Sequence, residues 1–289
     1  MTLFNTDSAP AARYRYPRVL SIAGSDSSGG AGIQADLKTF SALGCYGMTA
    51  ITALTAQNTL GVRAIHGVPP EMLVHQIDAV VEDIGVDAVK IGMLHSAAVA
   101  HAVAQAIERH RLKCVVFDPV MVATSGAMLV DETAIGVIVD EIFPRADLIT
   151  PNLDEAAWLV GYGLQSEADM ERAANRLLDM GARCVLLKGG HLQSDVVTDV
   201  LLQGSGDRQC LWMRAPRIPT SNTHGTGCTL SSAIAAGLAL GQPLAQAVLN
   251  ARVYIRGALE AGAAVTTGKG SGPLNHGYAP VAMRQWPGN

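Results

Sequence analysis

From residue 18 onward, short apolar runs alternate with segments whose apolar residues recur at helical spacing. That alternation restricts the fold more than any other feature of the chain. It predicts strands over residues 19–23, 48–54, 88–93, 114–117, 147–150 and 184–187. Helices are predicted over 33–43, 71–84, 97–109, 132–142, 155–160 and 167–180, with two more over 229–240 and 244–261 closing the chain. The helix opened by Pro70 shows the pattern clearly, because Leu73, Ile77, Val80, Val81 and Ile84 fall on one stripe. Residues 196–202 and 209–215 read as a hairpin across Gly204 and Gly206. Strands that are apolar throughout, joined by helices, indicate a mostly parallel sheet covered on both faces. No linker, repeat or low-complexity tract interrupts residues 18–289, so one domain is expected there. Residues 1–17 show no period and read as a loose, flexible N-terminal extension.

Hydrophobic residues make up 49% of the chain and charged ones 16%, against about 25% in an average domain, so a large core can form. The net charge of −4 carries no basic stripe, which argues against nucleic acid as a partner. No uninterrupted apolar run approaches the about 18 residues needed to span a membrane. Cys45, Cys114, Cys184, Cys210 and Cys228 show neither paired nor zinc-type spacing, and no secretory segment precedes them. A reducing, cytoplasmic setting is expected.

In parallel sheets, ligands bind where the strands end at their carboxyl side. The unusual polar residues fall after strands: Gly24 to Asp26, Thr55 to Asn58, Asp118, Pro151 to Glu155, and Lys188 to His191. The most informative stretch is 220–232 (TSNTHGTGCTLSS), which compacts into Gly225, Thr226 and Gly227 before a small-residue apolar helix. Glycines ahead of a helix leave amide N–H groups pointing out at its positive end, a place suited to phosphate. Cys228 follows directly, and a helix terminus favours the thiolate, so its pKa is expected to fall. An anion cradle beside a tunable acid or base suits phosphoryl transfer. The plainer reading is a glycine-rich cap with a buried cysteine.

Gly30, Gly32 and Ala35 fit the dinucleotide pattern G-x-G-x-x-G/A, yet no Asp or Glu occurs between Asp36 and Glu71 to hold a ribose. No G-x-x-x-x-G-K-[ST] is present either. The glycine loop is therefore expected to fold over a small ligand. Asp36, one turn later, is either a solvated helix position or a ligand contact. Gln57 offers a donor and an acceptor, which suits an aminopyrimidine edge. Glu155, three residues after Asn152, completes a capping box or holds Mg²⁺ near phosphates. Lys188, ahead of two glycines, can reach a polyphosphate. His191 and His224 are lone loop histidines, more often not ligands.

Several long motifs occur together in order: 23–39 (AGSDSSGGAGIQADLKT), 51–58 (ITALTAQN), 90–94 (KIGML), 118–121 (DPVM), 149–156 (ITPNLDEA), 187–191 (LKGGH), 222–229 (NTHGTGCT) and 268–273 (GKGSGP). From about residue 18 to 278 the chain resembles the ribokinase superfamily, and within it the hydroxymethylpyrimidine/phosphomethylpyrimidine kinases of thiamine synthesis. The resemblance implies a three-layer α/β/α fold, ATP with Mg²⁺, and two successive phosphorylations of 4-amino-5-hydroxymethyl-2-methylpyrimidine in one pocket. It implies that Gly24, Asp36, Thr55, Gln57, Met93 and Val120 line the pyrimidine pocket. Thr55 departs from the aliphatic residue expected there. Asn152, Lys188 and Thr223 would serve the nucleotide, Glu155 and Asp118 the metal, and Gly225, Thr226 and Gly227 the anion hole. Cys228 stands where the sugar kinases carry aspartate, as is usual for the pyrimidine kinases, and would act on the substrate hydroxyl. A homodimer is also implied. The alternatives are a pyridoxal or pyridoxine kinase of the same subfamily, or a non-catalytic pyrimidine-binding regulator. The joint presence of Lys188, Glu155 and Cys228 argues against the latter. No thiamine-phosphate synthase region is expected after residue 278.

Overall fold

A computed structural model describes residues 13–121, 129–190, 194–204, 208 and 210–287. At its centre lies a nine-stranded sheet. Its strands are β2 (Arg18–Asp26), β3 (Tyr46–Asn58), β4 (Gly61–Gly67), β5 (Ala88–Ile91), β6 (Val115–Phe117), β7 (Leu148–Ile149), β8 (Cys184–Leu187), β9 (Val196–Gln203) and β10 (Cys210–Pro216). Their order is β10-β9-β8-β7-β6-β5-β2-β3-β4. The six strands from β8 to β3 run parallel, while β9, β10 and β4 pair antiparallel at the two edges. The mostly parallel sheet and the hairpin over β9 and β10 match the sequence reading.

Successive strand residues point to opposite faces, and both faces are buried. In β6, Val115 and Phe117 enter one core while Val116 enters the other; in β8, Val185 and Leu187 oppose Leu186. The first core is closed by α2 (Pro70–Asp83), α3 (Ala97–His110), α4 (Glu132–Val137), α5 (Leu153–Val160) and α6 (Glu167–Asp179). The second is closed by α1 (Gly32–Ala42), α7 (Thr226–Ala239) and α8 (Leu244–Gly262). The result is the expected three-layer α/β/α arrangement.

Two expectations need correction. The strand expected over 48–54 runs the full length of β3 and turns back into β4, an edge strand whose centre, Arg63 to His66, is exposed. A solvated edge has no buried stripe to leave a pattern in the sequence. Residues 1–17 are also not loose throughout. Tyr14–Arg15 form β1, paired with β11 (Trp286–Pro287). Arg15 reaches both oxygens of Asp87 at 2.8 and 3.0 Å and lies over the Trp286 ring at 4.9 Å. Residues 1–12 lie outside the described residues.

Candidate active site

Because β2, β3, β5, β6, β7 and β8 point the same way, the residues just past their ends share one rim. The start of α7 joins them there. Gly225 caps that helix at φ 83°, a left-handed conformation natural to glycine, and a Cβ there would overlap the Gly30 carbonyl. The α7 start and the glycine loop 27–32 are thus pressed backbone to backbone. A Cβ on Gly227 would stand 3.1 Å from Lys188 Nζ and 3.4 Å from an Asp118 carboxylate oxygen. The half-buried α7 terminus therefore opens beside a cation, as an anion cradle requires, with the Thr226 N–H already taken by the Thr223 carbonyl at 3.2 Å.

Behind the cradle lies a buried charge cluster. Lys188 Nζ donates to Asp118 Oδ1 at 2.7 Å, and Thr150 Oγ1 donates to the same oxygen at 2.9 Å. Burial alone would raise the Asp118 pKa, but Lys188 and Lys90 outweigh it and hold the carboxyl low. Burial would lower Lys188 in turn, and the charges of Asp118 and Glu155 hold it up. Glu155 goes the other way. Burial, joined by repulsion from Asp118, pushes it up to about 7 against the pull of Lys188 and of backbone N–H groups.

Both readings of Glu155 find support in the same geometry. Asn152 Oδ1 accepts the Glu155 N–H at 2.9 Å and Glu155 Oε2 accepts the Asn152 N–H at 2.8 Å, a complete capping box. The same carboxylate, 6% exposed, feels Asp118 and Lys188. A buried carboxylate that ionises only near neutrality has room for more positive charge. Among the described residues no three His, Cys, Asp or Glu converge. A divalent cation beside Glu155 and Asp118 would complete its shell with phosphate oxygens and water, the habit of Mg²⁺. The donor set fits that ion.

Cys228 is half-buried in the first turn of α7. Its pKa is not lowered as expected. Burial pushes the thiol up to about 11, and Asp36 and Asp118 add to this, against the opposing pull of Lys90 and a hydrogen bond with the Gly32 backbone. Desolvation of a thiolate outweighs the partial charge of one helix terminus.

On the acceptor side, Gly24 lies against Met93, whose Sδ would be 3.2 Å from a Cβ at that position. Met93 is held in turn by Thr52 Oγ1, which donates to its carbonyl at 2.8 Å. Thr55 Oγ1 donates to the Ser25 carbonyl at 3.0 Å, so the departure from an aliphatic residue is used to tie β3 to β2. Gln57 lies within β3 rather than after a strand, its amide 3.2 Å from Thr55 Oγ1 and 3.4 Å from His224 Nε2. Val120 is half-buried beside Asp118. Asp36 is fully buried, which rules out the solvated helix position. Lys90 Nζ donates to both of its oxygens at 2.9 Å, with Ser21 Oγ at 2.6 Å and Ser232 Oγ at 2.7 Å. It is the floor beneath the site, and every lone pair on it is in use.

Thr223 is exposed, 3.3 Å from Ser271 Oγ in the 268–273 loop. That loop is anchored by Thr59 Oγ1, which accepts the Lys269 and Gly270 N–H groups at 3.2 Å each. His191 lies outside the described residues. Sequence reasoning singled out the stretches holding Asp26 and Lys90 without giving either residue a role, and did not place His224 against Asp26. Asp26 accepts the N–H groups of Ser28, Gly30 and Ala31 and the His224 Nε2 proton at 2.8 Å. Burial would raise Asp26, but the His224 and Ser28 bonds bring it down to about 2. An aspartate just ahead of a serine–glycine loop was the available signal, as a ready turn former.

Comparison with known proteins agrees with this geometry. The family model described as phosphomethylpyrimidine kinase matches residues 26–275. The hydroxymethylpyrimidine/phosphomethylpyrimidine kinase of Rhizobium meliloti is 50% identical over 258 residues, covering 89% of this chain and 96% of that one. A thiamine biosynthesis bifunctional protein of Geobacter sulfurreducens is 51% identical over 94% of this chain, which spans only 55% of that longer protein. Among solved structures, the pyridoxal kinase of Staphylococcus aureus in complex with AMP-PCP and pyridoxal superposes with a TM-score of 0.82 at 32% identity. That match covers 91% of this chain and 94% of the other.

Proposed function

The chain belongs to the phosphomethylpyrimidine kinase family, and from that premise we propose that it phosphorylates 4-amino-5-hydroxymethyl-2-methylpyrimidine and then its monophosphate, in thiamine synthesis. ATP is the phosphoryl donor. The observation that carries the reading is the meeting of two halves on one rim. The α7 cradle with Lys188, Asp118 and Glu155 suits a polyphosphate, and Gly24, Met93 and the Gln57 amide lie at the strand ends on the acceptor side.

Lys188 places a positive charge where Gly227 opens the cradle, and the α7 amides would take up charge developing on the transferred group. Glu155 and Asp118 would hold Mg²⁺, which when bound neutralises phosphate charge. Asn152 keeps Glu155 oriented through the capping box, and Thr223 stands at the outer edge toward the nucleotide. Gln57 reads the aminopyrimidine edge, and Cys228 faces the acceptor hydroxyl. One pocket serves both steps.

A second reading, pyridoxal kinase, is favoured by the pyridoxal-bound structural neighbour. Identity to it is 32%, against 50% to the pyrimidine kinase. Steady-state ADP release with the pyrimidine alcohol, its monophosphate and pyridoxal separates them. Turnover should be efficient with the first two, and preference for pyridoxal would reverse the assignment. We further place the protein in the cytosol, in keeping with its five free thiols, as a homodimer that covers the exposed Leu54 and Ile65 of the β3–β4 edge. No described helix is long and apolar enough to cross a membrane. A monomeric mass by light scattering would contradict the dimer.

A further inference from the structure

Resting on the kinase reading, one buried ion pair outside every sequence motif remains to be accounted for. Lys188 stands just past the end of β8. Its own N–H donates to the Pro151 carbonyl at 2.9 Å, which fixes the chain on the β7 side. On the other side the register pairs Leu187 with Val200, so Asp199 lies across from Lys188. The next N–H, that of Gly189, is taken by Asp199 Oδ1 at 2.9 Å. A Cβ on Gly189 would overlap the Thr198 carbonyl, so the two strands close more tightly there than a side chain permits. The second carboxylate oxygen accepts Arg252 Nε at 2.8 Å, with the two side chains only 9% and 13% exposed.

An aspartate within a strand is unfavourable, and a buried ion pair is weak as a source of stability. The position of this pair suggests another use. Arg252 belongs to α8, whose Ala247, Val248 and Ala251 pack in one core with Leu230, Ile234 and Ala236 of α7. The first turn of α7 holds the cradle that Lys188 faces. We infer that Asp199 and Arg252 are positioning residues, which fix the Lys188 amine against the phosphate cradle by tying the end of β8 to the helix layer that carries that cradle. Neither side chain reaches the nucleotide; both act through the Gly189 amide and the backbone of Lys188.

The test is calorimetric binding of ADP and of the pyrimidine alcohol, with thermal melts and turnover on both acceptors, for D199A, D199N and R252M. Asp87→Asn is the control, because Asp87 pairs with Arg15 and Arg18 near the amino ends of the strands, far from the rim. D199A and R252M should weaken ADP binding at least about tenfold and lower kcat for both acceptors, with pyrimidine affinity within about twofold of wild type. D199N should lie between, since its amide oxygen still accepts the Gly189 N–H. Asp87→Asn should lower the melting temperature and leave ADP affinity intact. ADP affinity within twofold of wild type in folded D199A would overturn the inference. So would parallel loss of both affinities with the melting temperature. If D199A does not fold, Arg252→Gln carries the same test with the same expected split. Wild-type protein that binds ADP but releases none with the pyrimidine would fault the functional reading instead, leaving the ADP comparison readable.

Discussion

Replacing Cys228 by alanine probes what the thiol does. In the free protein burial holds the thiol at about 11. At pH 7 the deprotonated fraction is then about 10⁻⁴, four pH units below the midpoint. Since kcat/KM reports groups of the free enzyme, a Cys228 base imposes a rise of about tenfold per pH unit between pH 7 and 10 on the alcohol acceptor. The monophosphate attacks with an oxygen already ionised above its second pKa of about 6, so no proton need leave. Its profile should flatten above about pH 7. Cys228→Ala should lower kcat/KM for the alcohol about 10²-fold and for the monophosphate less than about tenfold. ADP release across pH 6.5–9.5 with each acceptor measures both. Alkylation of the thiol across the same range should accelerate without reaching a plateau, and a midpoint below about 9 would contradict the role given to burial. Equal losses on the two acceptors, or a flat alcohol profile, would refute the base role and leave the cysteine as a positioning contact.

Glu155→Gln keeps an acceptor for the capping box, so it should melt near wild type yet need at least about tenfold more Mg²⁺. Glu155 must ionise to bind the ion, so wild-type Mg²⁺ affinity, followed by calorimetry, should climb about fivefold from pH 6 to 7 and about tenfold in all before levelling off near pH 8; a pH-independent affinity would contradict this. Its folded pKa of about 7 exceeds the ordinary 4.5, so without the ion this group's contribution to stability is fully present below 4.5 and lost as pH rises through 7. Lys90→Met strands the fully buried Asp36 carboxylate and should cost about 3–5 kcal/mol in denaturant melts. Adding Asp36→Asn should recover most of that, and an equally unstable double variant would sink the ion-pair account. Gln57→Leu should weaken pyrimidine binding by about 1–3 kcal/mol by calorimetry while ADP binding holds; unchanged pyrimidine affinity removes Gln57 from recognition.

Most of the scaffold was legible because it is written in buried apolar periodicity, and β8 was placed to the residue from Cys184 to Leu187. What escaped was unburied or non-local. The edge strand β4 and the β1–β11 clasp have no core face to mark them. The candidate site residues were proposed from residue chemistry and from the family motifs, whereas the contacts among them depend on distances that a sequence does not carry. Asp36 was left between a solvated helix position and a ligand contact, because its partners Ser21, Lys90 and Ser232 come from three separate elements. The Cys228 pKa was misjudged because the helix end is visible in the sequence and the depth of burial is not.

The two charge clusters share one helix. One turn past Cys228, Ser232 Oγ donates to Asp36 at 2.7 Å on the acceptor side, while Ser231 Oγ is 3.4 Å from Asp118 on the donor side. Residues three and four apart lie on one helix face, so the thiol stands above both contacts. This is why its proton affinity answers to Asp36 and Lys90 on one side and to Asp118 on the other. On the proposed function, nucleotide and cation bound beside Asp118 would change the field at the acceptor hydroxyl. Each cluster is held neutral or nearly so by a lysine, Lys90 below and Lys188 behind. The thiol is thus buried between two compensated charge layers, and charge brought by the ligands acts on it across little intervening water.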